Sequence, residues 1–460
     1  MSDVERIRTQ SSTRNSMSSV NHNQNPSTEI PFSRSFFDKN NAVARSIYLK
    51  IVIGGCFSLI LTIFAVFPIY WGALWKTPVH NLNGWVIDFD GGRVGQTVVQ
   101  ALTSPEASQL GKVTWTAVPA SQFPDGLGQL GNAVVNEQTW VAIAIHAGST
   151  ARLQASYASP NASYTGTDTI TVYAAEARNE NAYRSLIRPS AQAALEQISQ
   201  TFAIQSAAQL ASSANLTALL ATSPQTVITP IGYTVHNLAP FDMPVASAVT
   251  FVGLIYQLIL SFFVVMISFT AREHSRLNQH LTLRSLIVTR FVSSFTAYFF
   301  VSLFYALLSL AFQLDFTRKF GHSGFLVFWM LNWVGMLSVG LALESLMTLL
   351  TPRGIPFFMI LWIIINVSVC FLPIEVLPIF FRYGYAMPFY NVSHAVRCIV
   401  FGTKDSVGLN FGVLIAWAVT SCISLPLIQW FVRRRDVLEL QLAARSGISV
   451  AAQGNDEKQA

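Results

Sequence analysis

Residues 261–295, SFFVVMISFTAREHSRLNQHLTLRSLIVTRFVSSF, decide how this chain folds. An apolar run stops at Arg272, a short polar turn carries Arg276, His280 and Arg284, and a second apolar run begins at once. A bilayer crossing takes about 20 apolar residues. The turn is too short for a domain, so the stretch reads as two membrane helices joined by a basic loop. His274 and His280 do not make a His-Glu-x-x-His zinc motif, and the only carboxylate beside them is Glu273.

The whole chain agrees with that reading. Of its 460 residues, 52% are hydrophobic and 11% charged, against about 25% charged in an average soluble domain. Such a composition excludes an ordinary cytosolic enzyme. The net charge of +6 is accounted for by basic residues beside membrane spans, and no nucleic-acid-binding module is present, so no nucleic acid partner is expected. Cys56, Cys370, Cys398 and Cys422 lie in or next to apolar segments, without zinc-ligand spacing. The long polar middle of the chain has no cysteine and hence no disulfide framework.

Apolar runs at about 47–71, 245–269, 286–312, 324–350, 355–372 and 408–432 predict six helices. Arg45 and Lys50, then Arg272, Arg276 and Arg284, then Arg353, then Arg433, Arg434 and Arg435 fall on one face by alternation. The positive-inside rule makes that face cytosolic; Arg318 and Lys319 run against it. The expected organisation is a disordered cytosolic tail over 1–45, a first span at 46–71, an extracytoplasmic domain over 72–243, a five-helix region over 244–432 with a re-entrant or interfacial segment near 373–400, and a cytosolic tail over 433–460. The glycosylation sequons at Asn161, Asn215 and Asn391 fall on the outer side; the one at Asn366 lies within a span.

Between the first two spans, "WVIDF" (85–89), "KVTWTAV" (112–118), "WVAIAIH" (140–146) and "TITVYAA" (169–175) are short runs of β-branched and aromatic residues bounded by turn formers, and so predict strands. From about 181 to 220 the pattern is helical. The fold class is therefore an α-helical integral membrane protein with six transmembrane helices plus a mixed α/β extracytoplasmic domain. Asp88 and Asp90 stand on the same side of a strand end, but Asp-Gly-Gly is ordinary turn chemistry, and a calcium site would need more oxygen ligands.

In layout and in the order of four segments the chain resembles the fungal nitrosoguanidine-resistance family (DUF3533-type membrane proteins). More distantly it is similar to the membrane subunits of type-2 ABC exporters and phage-infection-protein-like proteins. The segments are "WVIDFDGG" (85–92), "WVAIAIHAGSTARLQAS" (140–156), "TITVYAAEARNENAYRSLIRPSAQAAL" (169–195) and "LPIEVLPIFFRYGYAMPFYNVSHAVRCIVFG" (372–402). The resemblance covers roughly residues 45–440. It implies a plasma-membrane protein that helps cells tolerate toxic small molecules, by export, with membrane lipids and those molecules as partners and a homodimer or a separate partner protein as the assembly. The chain departs from exporters that carry their own ATPase, because it has no Gly-x4-Gly-Lys-Ser/Thr loop.

Ionisable groups inside spans point to sites, because burying charge in lipid is costly. Arg290, in the third helix, and Glu344, in the fourth, lie at matching depths. They form a buried pair, or else Arg290 snorkels to the headgroups. His394 and Arg397 share a helix face and are candidates for contact with a substrate or lipid headgroup; the alternative is an anchored interfacial helix. No Gly-x-Ser-x-Gly elbow and no zinc motif occurs, so neither an enzyme nor a cofactor is expected. The runner-up to export is a non-transporting membrane organiser acting on lipid distribution or signalling.

Overall fold

A computed structural model describes residues 35–104, 112–211 and 215–456. Most of the expected tail, residues 1–34, lies outside the described residues. The chain divides into two compact units, Met1–Leu61 and Thr62–Ala460. In the first unit, helix α1 (Ala42–Leu74) begins. The Arg45 guanidinium donates to the Phe36 carbonyl at 3.0 Å, tying the preceding turn to the helix start. Ile47, Ile51, Ile53, Phe57 and Leu61 are all exposed. A helix that is apolar along most of its length, with only Ala73 near its end buried, suits lipid.

The second unit opens with a five-stranded sheet between the first and second spans. Its elements run β1 (Leu82–Asp88), α2 (Arg93–Leu102), β2 (Val113–Ala117), α3 (Leu127–Val135), β3 (Val141–Ile145), α4 (Ser149–Ala158), β4 (Ile170–Ala174), α5 (Arg188–Leu210) and β5 (Tyr233–Asn237). The strand order is β2-β1-β3-β4-β5. β1 pairs parallel with both β2 and β3, β3 with β4 antiparallel, and β4 with β5 parallel. All five residues of β3 and of β4 are buried, as expected of central strands covered on both faces. Gly84 is needed where β1 meets β2, because a Cβ there would lie 2.6 Å from the Trp115 ring. The four strands expected from the sequence are all present, and β5 is an addition.

The helical part comprises α6 (Gly253–His274), α7 (Leu283–Ala311), α8 (Gly324–Val367), α9 (Pro388–Phe401) and α10 (Val407–Asp456). With α1, the described residues hold five candidate membrane spans by length and composition, the fourth of them the 51-residue stretch Thr317–Val367. Five elements thus stand where six helices were expected, because 324–350 and 355–372 join in α8. The join is not regular helix: Thr351 sits at φ 59°, ψ 169°. The following Pro352 disfavours a helical conformation for its predecessor and supplies no N–H. The chain turns back there. Gly335 packs against Val392, while Asn366 accepts the Phe389 N–H at 3.2 Å. Phe389 and Val392 are one helical turn apart, whereas a straight helix would separate residues 335 and 366 by about 46 Å.

Sheet and bundle are joined through α9 and the segment that precedes it, residues 371–376. Asn181 donates to the Phe371 carbonyl at 3.1 Å, the Val79 N–H to the Val376 carbonyl at 2.9 Å, and the Phe241 and Phe401 rings lie 4.7 Å apart.

Candidate functional site

One face of α7 carries Arg290, Ser294, Tyr298, Ser302 and Ala306 at four-residue spacing, and all are buried. That spacing stacks side chains along one stripe, so α7 presents a polar seam to α6 and α8. Near the N-terminal end of α7, Arg290 donates from Nε to Glu344 Oε1 at 2.6 Å. Arg290 also donates from Nη2 to the Glu344 carbonyl at 2.5 Å, and from Nη1 to Gln429 Oε1 at 2.5 Å and Thr348 Oγ1 at 2.7 Å. The snorkelling alternative is therefore not what the structure shows.

A third member escaped the sequence reading. Arg272 Nη2 lies 2.9 Å from the same Glu344 oxygen. By position Arg272 reads as a loop residue obeying the positive-inside rule, but it is only 6% exposed, with Arg290 at 2% and Glu344 at 0%. The last turn of α6 faces inward at this residue. Two guanidinium groups share one carboxylate, so the cluster holds one net positive charge. Glu344 Oε2 is buried and has no hydrogen-bond partner among the described residues. Nothing in the sequence marked Gln429 as a member, since a neutral amide near the end of an apolar run carries no signature.

Farther along the seam, Gln257 donates to Asn332 in a very short bond, and the Tyr298 hydroxyl donates to the Ser261 carbonyl at 3.2 Å. Gly340 leaves room for that hydroxyl: an added Cβ would fall 2.2 Å from it. Gly340→Ala is therefore expected to destabilise by about 1–3 kcal/mol through overpacking, despite the better helix propensity of Ala. Thermal melting of the purified protein checks this, and adding Tyr298→Phe should recover little of the loss, because the ring carbon Cζ would still lie 2.4 Å from the added Cβ.

His394 and Arg397, the candidates for contact with a substrate or lipid headgroup, do share a face of α9, and that face meets the sheet domain. Arg397 is 4% exposed; its Nη1 donates to Glu180 Oε2 at 2.5 Å and to the Ala177 carbonyl at 2.9 Å. Burial works to raise the Glu180 carboxyl, but the charge and hydrogen bond of Arg397 outweigh it and hold it below the usual carboxylate range. Beside this pair the Arg178 guanidinium lies 3.4 Å over the Trp140 ring and donates to the Thr139 carbonyl at 3.0 Å. A cavity of about 30 Å³ lies here, lined among others by Glu137, Arg178, Glu375, Tyr390, His394 and Arg397. It has room for about two waters.

The His394 and Tyr390 rings lie with centroids 4.2 Å apart, tilted by 34°. Burial first, then Arg397, Arg178 and Lys404, push its pKa down to about 3. The folded chain thus binds this proton less readily than the unfolded chain, whose histidines titrate near 6.5. The resulting stabilisation is complete above about pH 6.5 and is lost as the pH falls toward 3. His394→Gln should flatten the melting temperature over that window, as measured by thermal scans from pH 7 to 4.

The remaining candidates serve the fold. Asp88 Oδ1 accepts the N–H groups of Asp90 and Gly91, both at 2.9 Å, in a turn where Gly91 has φ +63°. Asp90 accepts the Thr150 N–H at 3.0 Å and its hydroxyl at 2.5 Å, capping the start of α4. Burial works to raise Asp90, and those bonds hold it below the usual range. Among the sequons, Asn161 is exposed. The Asn215 amide donates to the Tyr157 and Ala158 carbonyls. Asn391 is 2% exposed, its amide donating to the Tyr385 and Met387 carbonyls. In the folded chain the Asn391 amide is therefore enclosed.

A mixed α/β domain set between the first and second of several apolar helices, with buried ion pairs in the helical part, defines a multi-pass membrane protein. The chain belongs to the family described as "Protein of unknown function (DUF3533)", whose family model matches residues 55–423. It is also similar to an uncharacterized endoplasmic reticulum membrane protein, YJR015W, of Saccharomyces cerevisiae. The two are 27% identical over 445 residues, covering 90% of this chain and 86% of the relative. No solved structure matches.

Proposed function

We propose that this chain protects cells against toxic small molecules as an exporter-like membrane protein without an ATPase of its own. In this reading the folded-back α8 crosses twice, giving six crossings, with both ends cytosolic and the sheet domain on the opposite side. A second copy or a separate protein supplies the rest of the assembly. The supporting observation is the Arg272–Glu344–Arg290 cluster, which ties α6, α7 and α8 together around an unbalanced charge. Buried ion pairs contribute little to stability compared with apolar packing of similar volume, and charge inside spans goes with transport paths and relays. Helices held by such a cluster can exchange partners as they move.

Efflux of labelled compounds from vesicles containing the purified protein, with and without ATP or a proton gradient, tests the reading. Efflux under none of these conditions would count against it and favour the second reading, a membrane organiser. That reading is supported by Gln257 and Asn332, whose side chains bond each other as in helices that only pack. Orientation is tested with Ser163→Cys and Gln441→Cys, expected to react with an impermeant thiol reagent from opposite sides of sealed vesicles. Localisation is proposed as the plasma membrane; the name of the yeast relative places that protein in the endoplasmic reticulum. A fluorescent fusion decides between a peripheral rim and a perinuclear network.

A further inference from the structure

The sheet domain carries a second concave feature, remote in sequence from the charge cluster. A groove between α2 and α5, with Trp115 of the edge strand β2 contributing to its wall, encloses about 540 Å³. That lies within the roughly 300–1,000 Å³ of small-molecule sites. Along α5 the lining positions run from Ser190 to Gln205 at steps of three and four residues, so one helix face forms a wall about 22 Å long. The groove stays open because small residues, Ala101 on α2 and Ala193 and Ala194 on α5, stand where larger side chains would fill it.

Its chemistry is of one kind. Trp115, Ile198 and Phe202, all buried, give it an apolar and aromatic floor. Gln100, Gln197 and Gln205 line it with side-chain amides that have no hydrogen-bond partner among the described residues. No Asp, Glu, Lys, Arg or His is among the described residues lining it. Arg93, on α2, stands 5.9 Å over the Phe202 ring and is already held by Gln209 Oε1 at 2.6 Å.

We propose that this groove binds uncharged amphipathic small molecules, with a flat apolar body and amide, carbonyl or hydroxyl groups. The aromatic floor takes the body. The glutamine amides both donate and accept, and so match neutral polar groups of either sense. An ionised ligand would leave water for a cleft with no counter-charge, which is costly. Binding here is independent of whether the bundle transports anything.

The test uses the full chain in lipid nanodiscs and three probes of nearly one shape: benzamide, benzoate and benzamidinium. They are read by saturation-transfer NMR against empty nanodiscs. Benzamide is expected to bind, with the anion and the cation about tenfold weaker, the scale of one poorly met polar contact. Ala194→Trp, which fills the groove, should abolish the benzamide signal. Gln197→Leu with Gln205→Leu, on the exposed rim where folding is not at stake, should weaken it several-fold. Absence of benzamide binding, equal binding of all three probes, or a benzamide signal unchanged in both variants overturns the proposal.

Discussion

Glu344→Ala should be the most damaging single substitution in the helical part. It removes the one carboxylate shared by Arg272 and Arg290 and leaves two like charges facing each other out of water. Breaking a buried pair typically costs about 3–5 kcal/mol, and here two cations are stranded by one change. Arg290→Ala should cost less, because Arg272 still meets Glu344, although Thr348 and Gln429 lose their donor. Arg272→Ala should cost least, since it leaves a matched pair. Melting temperatures in detergent should follow that order. In a double-mutant cycle, Arg290→Ala with Glu344→Ala should lose less than the sum of the single changes. Additive losses would show that the two side chains do not act together.

Arg397→Ala is expected to loosen the junction between sheet and bundle rather than either part alone. Glu180 would keep its burial and lose its cation, again a cost of about 3–5 kcal/mol. Hydrogen exchange should rise first at residues 177–181 and along α9, before β3 and β4. Arg397→Lys should recover most of the loss, because the bonds to Glu180 Oε2 and to the Ala177 carbonyl both leave from the one nitrogen Nη1, and only the 3.4 Å bond from Nε to Ser393 has no counterpart in lysine. Because the folded Glu180 carboxyl is held below its ordinary value, its contribution is present above about pH 4.5 and fails as the pH falls through the lowered value. An exchange pattern unaltered by Arg397→Ala would remove Arg397 from the junction.

Much of this fold is legible in the sequence, for identifiable reasons. β1 to β4 announce themselves through β-branched and aromatic runs. β5 does not, because Val235 is its one strongly apolar residue and prolines at 230 and 240 make the segment look like a linker. α2, α3 and α4 were not read at all: each is nine or ten residues long, and α2 and α3 contain glycine. Arg290 and Glu344 stood out because charge is rare within apolar runs. Arg272 did not, because it closes its run where a positive residue is expected, and only side-chain direction separates the two roles. The Arg397 partner lies 217 residues away, a pairing that no local pattern encodes.

The cluster also has an order in time. Arg272 and Arg290 are synthesised before Glu344, so a growing chain that has made α6 and α7 holds two cations with their counter-ion still inside the ribosome. Membrane insertion of that first hairpin is thus incomplete as a chemical unit until α8 arrives. Chains arrested at residue 350 should leave both arginines at the water boundary, open to an impermeant arginine reagent. Chains arrested well past residue 380 should shield them.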